Sequence, residues 1–350
     1  SELSNPADAQ HVARCLVEEF NRPIDLRGRD LIVTVTIGAA THPRDGTDAA
    51  TLLKNADLAL YRAKESGRNM AMVFSPDMSE GIVARLELET ALRQAVANDE
   101  MRLYYQPQVD KNGKIIALEA LLRWQHPTLG LTAPVKFIPL AEDTGLILPI
   151  GAWVLQEAAR QIRMWVDSGL PAIPIAVNVS TLQFAQPDFV ETVQAALNQC
   201  GVRGSWLEIE LTESVLMRNM REAVEKLADL RKMHVSVAID DFGTGYSSLA
   251  YLQRLSLDTL KINQSFFGVL DSSRVGGSGR TITGAVIALA KSLGLQVVAE
   301  GVETEVQKEF LLRVGCDLLQ GYLYSRPQTA TQIEPLLRQQ FMQTPVSKTG

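Results

Sequence analysis

An alternation of short strands with helices over about 250 residues constrains the fold of this chain more than any other feature. Short apolar, strand-like segments recur near residues 178, 209, 238, 261, 299 and 320. Segments of about 10 to 20 residues with helical periodicity separate them. Such a repeat places helices outside a parallel sheet that closes on itself. The sequence therefore predicts an α/β fold built on a (β/α) barrel.

The barrel region opens with a predicted hairpin. The segment LYYQPQVD precedes the turn Asn112-Gly113, and IIALEALLRW follows it. Asn-Gly between two apolar segments is the strongest short-range signal of a two-strand hairpin. We therefore expect the first two strands to be antiparallel, which departs from the ideal barrel.

The first 80 residues follow a different pattern. They contain two predicted helices, Ala9–Phe20 and Asp48–Glu65, and two predicted strands, Leu31–Ala39 and Asn69–Phe74. The apolar stripe expected on the first helix consists of Val12, Cys15, Leu16 and Phe20. So few elements make a thin core, which indicates a truncated domain. We place the domains at residues 1–80 and 82–341, with a C-terminal tail at 342–350.

Composition and charge exclude several classes of protein. The apolar stretches are too short to span a bilayer, and acidic residues interrupt the first apolar positions, so neither a membrane segment nor a signal peptide is predicted. The cysteines Cys15, Cys200 and Cys316 are widely spaced, which favours thiols in a reducing cytoplasm over disulfides or zinc. Because the net charge is −6, a broad DNA-binding surface is not expected.

Each predicted barrel strand ends in a polar residue. These residues are Glu119, Asn178, Glu210, the pair Asp240 and Asp241, Lys261, Glu300 and Gln320. A lone acidic residue at a strand end is most often the cap of the next helix. Seven strands that all end in this way favour another interpretation, because the carboxyl ends of barrel strands meet at one mouth.

The predicted mouth holds five carboxylates and a single lysine. These carboxylates cannot all stay ionised side by side without further countercharge. Bound divalent metal is the natural remedy, and oxygen ligands without histidine suit Mg²⁺ or Mn²⁺ rather than zinc. Two such ions favour hydrolysis of a phosphate ester. Lys261 would then orient or deprotonate the attacking water, or neutralise charge in the transition state, and a solvated lysine at the rim is the alternative.

Two glycines, Gly243 and Gly245, lie in the short polar loop after the acidic pair. Their amides could approach a phosphate, the loop could act as a lid, and a tight turn is an equal alternative. Arg123 suits a phosphate contact, whereas Trp124 suits a position in the core. Residues 275–280 are glycine-rich but lack the lysine of a nucleotide-binding loop, so we interpret them as a flexible connection.

Seven motifs, in order along the chain, carry a resemblance to a known family. They are LEALLRW at Glu119, NVS at Asn178, ELTE at Glu210, DDFGTGYSSL at Asp240, LKI at Lys261, EGVE at Glu300 and QGY at Gln320. Together they resemble the EAL-domain family of bacterial cyclic di-GMP phosphodiesterases over residues 82–341. The first 80 residues, with VTVTIGAA and ADLALYRAKESGRN, resemble the second half of a GGDEF (diguanylate cyclase) domain without its signature motif.

The resemblance implies a fold and an activity. The fold is a modified TIM (β/α)8 barrel with an antiparallel first strand, preceded by a partial α+β GGDEF-type fragment. The activity is hydrolysis of cyclic di-GMP to linear pGpG in second-messenger signalling, with Mg²⁺ or Mn²⁺ as cofactor and two ions per site. The implied assembly is a cytoplasmic homodimer formed through the EAL domain and joined to upstream sensory or GGDEF regions of a parent protein.

The resemblance also implies a role for each site residue by its position in the motifs. The first metal would be held by Glu119, Asn178, Glu210 and Asp240, and the second metal or its water by Asp241 and Glu300. Lys261 would hold the nucleophilic water, with Gln320 in support. The catalytic group would thus be Glu119, Asp241, Lys261 and Glu300. Substrate contacts would come from Gln106, Leu122, Arg123 and Gln320.

Further residues would support this site. In this family the loop after Asp241, which here contains Gly243 and Gly245, is linked to dimerisation, and Glu213 resembles the glutamate that braces it. Glu303 in EGVE would lie next to the residues that contact the metals or the substrate. The family usually has LKID, and Asn263 replaces that aspartate here. Because asparagine keeps the shape and the metal ligands are intact, we expect activity to survive.

Two other functions compete with the enzyme. A catalytically silent cyclic di-GMP receptor is the main alternative, but such relatives typically lose the EAL glutamate or the paired aspartates, and this chain keeps both. A barrel glycosidase needs two acids rather than five acids with lysine and asparagine. In the GGDEF-type fragment, Lys64 and Arg68 match positions that contact a nucleotide triphosphate, but without the other half they cannot form a cyclase.

Overall fold

The computed structural model describes residues 6–25, 30–31, 33–240, 255–267 and 278–342. The chain divides into two compact units, Ser1–Ala91 and Leu92–Gly350. No helix within the described ranges is long and apolar enough to cross a bilayer.

The first unit contains two small sheets and the helices beside them. Its elements are α1 (Pro6–Phe20), β1 (Ile24–Asp25), β2 (Asp30–Leu31), β3 (Ile37–Ala39), α2 (Ala49–Glu65), β4 (Ala71–Val73) and α3 (Pro76–Ala95), the helix that leads to the second unit. Strands β1 and β2 are antiparallel, whereas β3 and β4 are parallel.

Helix α2 confirms the helix predicted over Asp48–Glu65. It begins after Asp48, whose carboxylate accepts a hydrogen bond from the Thr51 amide at 2.9 Å and so caps the helix. Gly38 of β3 lies directly against it, because a Cβ on Gly38 would come within 2.1 Å of the Leu60 amide nitrogen. Only glycine allows this close approach of strand and helix.

The strand predicted over Leu31–Ala39 is wrong in its middle. Strand β2 ends at Leu31 and β3 begins at Ile37, and the described residues between them belong to no strand. In the described ranges β3 pairs with β4 alone. The alternation of apolar residues and threonines therefore does not make a strand where no neighbouring backbone pairs with it.

The apolar stripe predicted for α1 is also wrong. Val12 and Leu16 are exposed, and the buried face consists of Ala9, Ala13 and Val17. This helix packs on β3 and β4. Small alanine side chains let a helix approach a sheet closely, so the larger residues lie on the outer side.

The second unit is a barrel with helices around it. Its strands are β5 (Met101–Val109), β6 (Ile115–His126), β7 (Gly130–Thr132), β8 (Ile175–Asn178), β9 (Leu207–Thr212), β10 (Ser236–Asp240), β11 (Thr259–Ile262), β12 (Gln296–Ala299), β13 (Leu318–Leu319) and β14 (Gln328–Thr329). Its helices are α4 (Pro134–Asp143), α5 (Ile147–Asp167), α6 (Thr181–Phe184), α7 (Phe189–Cys200), α8 (Glu213–Arg218), α9 (Met220–Lys232), α10 (Ser278–Ser292), α11 (Glu305–Arg313) and α12 (Ala330–Met342).

The strand order confirms the predicted modified (β/α)8 barrel. Strands β6, β8, β9, β10, β11, β12 and β13 run parallel in that order. Strand β5 closes the barrel, since it pairs antiparallel with both β6 and β13. In the described ranges eight strands thus form the closed wall, with β7 and β14 added beside it.

The predicted opening hairpin is confirmed. Strands β5 and β6 are antiparallel, with Gln106 opposite Glu119. The turn is held by Asp110, whose carboxylate accepts from the amides of Asn112 at 2.8 Å and Lys114 at 2.9 Å. Gly113 adopts φ +78, a left-handed conformation that glycine takes without strain.

Trp124 lies in the core, as predicted. It is fully buried, and its indole N–H donates to Glu100 at 2.9 Å. The glycine-rich stretch 275–280 gives a different result, because α10 begins at Ser278. The last three residues of the predicted flexible connection are therefore helical, and its first three residues lie outside the described ranges.

Candidate active site

The polar residues at the strand ends meet at the carboxyl end of the barrel. Glu210 pairs in register with Asn178 on one side and with Ala238 on the other. Glu119, Glu210 and Lys261 are only 5%, 1% and 1% exposed. Three charged groups that are so thoroughly buried must compensate one another, because an isolated buried charge is very costly.

Lys261 is the positive centre of this cluster. Its ammonium nitrogen lies 2.6 Å from Glu210 Oε1 and 3.6 Å from Glu119 Oε2, and it also contacts Glu300 Oε1. A solvated lysine at the rim, the alternative interpretation, is therefore wrong. Neither Lys261 Nζ nor the Glu210 oxygens complete a hydrogen bond of acceptable angle with a described residue. The opposite charges are therefore close enough to form ion pairs, but the angles at these atoms do not allow hydrogen bonds.

Two amides orient Glu119. Asn178 Nδ2 donates to Glu119 Oε1 at 2.7 Å, and Gln320 Nε2 donates to Glu119 Oε2. Gln320 Nε2 also lies 3.2 Å from Gln106 Oε1, and Gln106 Nε2 donates to the Ser325 carbonyl at 3.0 Å. Gln106 is buried in this network. Glu119 is therefore held by a chain of hydrogen bonds that ends on the backbone of the segment before β14.

The carboxylates differ in how readily they ionise. Burial alone would raise the pKa of Glu119, but Lys261 and the two donated hydrogen bonds outweigh it and lower that pKa. Burial, reinforced by Glu119, raises the pKa of Glu210 well above its usual value. Burial also raises the pKa of Glu300 to about 7 although Lys261 opposes it. The cluster thus carries more carboxylates than one ammonium can keep ionised.

Lys261 itself keeps its charge. Burial would lower the pKa of its ammonium, but Glu119, Glu210 and Glu300 raise it well above its usual value. A lysine in this environment is a hydrogen-bond donor and a positive charge at neutral pH. It is a poor proton acceptor.

The donor set suits a hard divalent cation in its chemistry. Glu210 and Glu300 present buried oxygens that lack a good partner among the described residues, and Asn178 adds an amide group. In the described ranges, however, no three acidic, histidine or cysteine side chains converge as the ligands of one ion would. The carboxylates instead surround the Lys261 ammonium. They would have to turn from it to hold a cation.

Two glycines explain the motifs EGVE and QGY. Gly301 adopts φ +72, and a Cβ there would lie 2.8 Å from Gln264 Cβ. A Cβ on Gly321 would lie 2.1 Å from the Val302 carbonyl oxygen. Glycine is therefore required at both positions, because the loops after β12 and β13 pass against their neighbours. These loops follow Glu300 and Gln320 directly.

The remaining predicted site residues lie in several places. Asp240 ends β10, is half-buried, and acts on the pKa values of Glu210, Lys261 and Glu300. Asp241, Gly243 and Gly245 lie outside the described residues.

Glu213 is buried at the start of α8, and Glu303 is an exposed residue whose amide donates to Gln307 at 2.8 Å. Asn263 caps a 3-10 turn, since its side chain accepts from the Ser265 amide at 3.0 Å.

Arg123 and Leu122 flank Glu119 on β6. The Arg123 guanidinium is half-buried, donates to the Leu122 carbonyl at 2.8 Å and lies 5.8 Å from the centre of the Tyr104 ring. Burial lowers the pKa of this arginine. In the first unit, Lys64 lies in the last turn of α2, and Arg68 in the turn after it has φ +59.

Sequence reasoning missed a cavity beside the mouth. It has a volume of about 410 Å³ and shares Asn178 with the site. Its walls are mainly apolar, with Leu122, Pro139 and Ile147 among them, and Glu142 lies in the wall. Burial, with Asp143 in addition, raises the pKa of Glu142. Nothing in the spacing of these residues indicates a common cavity, because they come from β6, α4 and α5.

The fold and this site define a member of the EAL-domain family. The model of the EAL domain matches residues 89–327, and the chain belongs to this family. The model described as "Diguanylate cyclase, GGDEF domain" matches residues 1–70.

Several known proteins are similar to this chain. The bifunctional diguanylate cyclase/cyclic di-GMP phosphodiesterase MucR of Pseudomonas aeruginosa is 45% identical over 333 residues, which is 95% of this chain and 48% of that protein. The cyclic di-GMP phosphodiesterase NbdA of the same organism is 42% identical over 339 residues, which is 97% of this chain and 43% of NbdA. The chain thus spans about half the length of these relatives or less.

A solved structure has the same barrel. The MucR phosphodiesterase in complex with cyclic di-GMP has a TM-score of 0.68 and 48% sequence identity to this chain. The match covers 71% of this chain and 99% of that one. It shows that the barrel of the second unit is the EAL fold.

Proposed function

We propose that the barrel hydrolyses cyclic di-GMP to linear pGpG in a reaction that depends on a divalent metal. The observation that carries the proposal is the buried cluster of Glu119, Glu210 and Glu300 around Lys261. It supports a site for a cation and a phosphate, because the carboxylates exceed the available positive charge. Relatives named as cyclic di-GMP phosphodiesterases support the substrate.

Mg²⁺ or Mn²⁺ would be held by the oxygen donors of the mouth. EAL domains generally depend on a divalent metal. We assign the first ion to Glu119, Asn178, Glu210 and Asp240, and a second to Asp241 and Glu300. Held by these residues, a divalent metal would supply positive charge for the phosphate and a more acidic water. The high pKa values of Glu210 and Glu300 support this assignment, since a divalent cation would replace the protons that these groups otherwise keep.

Lys261 would orient the attacking water and stabilise negative charge on the phosphate. Its raised pKa favours this role over deprotonation of the water, because the ammonium stays charged at neutral pH. Gln320 and Asn178 would fix Glu119 in one orientation. We assign Gln106 to the same support, because its amide is engaged with Gln320 and the Ser325 carbonyl.

One base of the dinucleotide would occupy the cavity beside Asn178. Its volume of about 410 Å³ and apolar walls suit a purine ring. Glu142 in the wall could accept the N–H groups on the edge of a guanine. Arg123, close to Glu119, would contact the phosphate.

The wider setting is proposed from the same resemblance. We place the EAL domain at residues 82–341, after a GGDEF-type fragment at 1–80 and before a tail at 342–350. The reaction would take place in the cytoplasm, in a homodimer formed through the EAL domain, under the control of upstream sensory or GGDEF regions.

The test is a chromatographic assay of cyclic di-GMP turnover. With Mn²⁺ or Mg²⁺ the purified chain should release pGpG, and EDTA should stop the reaction. Tight binding without turnover in saturating metal would instead identify a receptor. Release of a different product would show that the assigned bond cleavage is wrong.

A further inference from the structure

Lys226 on α9 is a buried lysine outside the mouth of the barrel. It is 7% exposed. Its ammonium donates to the Phe184 carbonyl at 2.6 Å and to the Gln186 carbonyl at 2.7 Å, and it pairs with Glu222 Oε1 at 2.6 Å. An ammonium has three donors, and these three acceptors match them. The charge is therefore fixed in one place.

The carbonyls that Lys226 binds lie at the end of α6. Phe184 is the last residue of that helix, and the last carbonyls of a helix lack partners within it. The ammonium supplies the missing donors. It also lies 5.4 Å from the centre of the Phe184 ring, which packs edge-on against Phe189. The end of α6 is thus held by a cation and an aromatic contact together.

The start of α6 is fixed as well. Ser180 and Gln183 form a reciprocal capping box, in which each side chain accepts from the amide of the other residue. Gly151 of α5 allows Gln183 to approach, because a Cβ on Gly151 would lie 1.7 Å from Gln183 Nε2. Asn178, which binds Glu119, comes two residues before Ser180. Both ends of α6 are therefore anchored next to a residue of the site.

Lys226 and Asn178 belong to different parts of the barrel. Asn178 ends β8, whereas α9 follows β9, the strand that carries Glu210. Strands β8 and β9 are neighbours, with Asn178 opposite Glu210. The ammonium of Lys226 thus links the segment after Asn178 to α9, the helix that follows the strand of Glu210.

We propose that Lys226 is a positioning residue that sets the place of Asn178 relative to Glu210 and thereby the affinity of the mouth for a divalent cation. This inference rests on the proposed function. Among the described residues, the partners of the Lys226 ammonium are Phe184, Gln186 and Glu222, and none of these is a predicted metal ligand. It acts by holding the end of the segment 179–186 through the carbonyls of Phe184 and Gln186, and its loss frees that end, so that the capped start alone keeps Asn178 in place.

The test compares Lys226→Met, which keeps the length of the side chain and removes the ammonium, with the unsubstituted chain. The probe is Mn²⁺, with binding measured by electron paramagnetic resonance and turnover of cyclic di-GMP measured as a function of Mn²⁺. Because Lys226 supports no ligand directly, we expect Mn²⁺ affinity to fall by about 3- to 10-fold, less than the about 10- to 100-fold typical for loss of a direct support, with kcat at saturating Mn²⁺ nearly unchanged. Lys226→Arg, which can still donate to both carbonyls, should restore part of the affinity.

Two controls separate positioning from general destabilisation. Lys232→Met removes an exposed lysine of the same helix. Ile333→Val shortens a fully buried side chain of α12 and should therefore lower stability at a site away from α6 and α9. Both should bind Mn²⁺ as the unsubstituted chain does, even if Ile333→Val lowers Tm as much as Lys226→Met. Unchanged Mn²⁺ affinity in Lys226→Met would overturn the inference and leave the proposed function intact. If the unsubstituted chain neither binds Mn²⁺ nor turns over, the proposed function fails and the inference fails with it.

Discussion

The ammonium of Lys261 lies 2.6 Å from Glu210 Oε1, and both side chains are 1% exposed or less. This ion pair joins a residue of β9 to a residue of β11, 51 positions apart in the sequence, at the mouth of a closed barrel. Glu119 and Glu300 contact the same ammonium, so negative charge exceeds positive charge in a buried place. Such an excess is what a divalent cation compensates.

Lys261→Met should remove most of the activity while Mn²⁺ still binds. The methionine keeps the hydrocarbon volume but supplies neither a donor nor a positive charge to the reacting phosphate. Loss of one such donor typically lowers kcat by about 100- to 1000-fold. Turnover in saturating Mn²⁺ measures this, with Lys232→Met as the exposed-lysine control. A kcat within a factor of two of the unsubstituted chain would contradict the role assigned to Lys261.

Gln320→Leu should weaken Mn²⁺ binding, because Glu119 loses one of the two amides that orient it. Loss of a group that orients a metal ligand typically costs about 10- to 100-fold in affinity. The measurement is an Mn²⁺ titration by calorimetry. Gln328→Leu is the matched control, since its amide donates to Ser325 Oγ at 3.0 Å and not to Glu119. Equal affinities in the two variants would show that Gln320 does not orient the ligand.

The raised pKa of Glu300 should make the stability of the metal-free chain fall as the pH rises. The carboxyl titrates near 4.5 when unfolded and near 7 when folded, so between these values the folded state holds a proton that the unfolded state has released. Its contribution therefore lowers stability as pH rises from about 4.5 to 7. In EDTA, the Tm of Glu300→Gln should fall less between about pH 4.5 and 7 than the Tm of the unsubstituted chain. Glu309→Gln, on the surface of α11, should behave as the unsubstituted chain does. Parallel Tm curves for all three would contradict the prediction.

Asn263→Asp tests a motif position at which the resemblance to the family predicts an aspartate. The asparagine side chain already accepts from the Ser265 amide, and an aspartate would do so with a full negative charge near Lys261 in sequence. A charge at a helix end contributes about 0.3 to 1 kcal/mol to stability, and because aspartate is the residue that the family usually has here, we expect at most a modest rise in rate. Steady-state turnover in Mn²⁺ measures it. No change in rate would make the substitution neutral.

His234→Gly should stabilise the chain by about 1 kcal/mol. His234 adopts φ +59 after α9, a left-handed conformation that costs a residue with a Cβ about 1 to 2 kcal/mol, whereas glycine takes it freely. The gain is reduced by the greater freedom of glycine in the unfolded chain. Urea unfolding measures the difference. A lower free energy of unfolding in the variant would show that the histidine makes compensating contacts.

The sequence was sufficient to predict the barrel and most of its mouth. A local turn, Asn112-Gly113, predicts the antiparallel pair, and the polar residues at the strand ends meet because the fold brings all carboxyl ends together. These predictions need only local patterns and one rule of topology. The place of Lys261 at the centre of the carboxylates does not follow from such patterns.

Contacts between distant residues were beyond the reach of the sequence. Gln106 and Gln320 meet across 214 positions, and the cavity beside Asn178 combines residues of β6, α4 and α5. No periodicity records such pairs. The stripe on α1 failed for a related reason, because which face of a helix is buried depends on the sheet that it meets. Only packing decides that Ala13 and not Leu16 faces the strands.

The most direct test of the central claim is Mn²⁺-dependent hydrolysis of cyclic di-GMP by the unsubstituted chain and by Glu119→Ala under one set of conditions. We predict pGpG from the unsubstituted chain, no product after EDTA, and loss of metal-dependent turnover in Glu119→Ala with the fold retained by circular dichroism. Equal rates in the two chains, or a rate that EDTA leaves unchanged, would contradict the assignment of the mouth as a metal-dependent phosphodiesterase site.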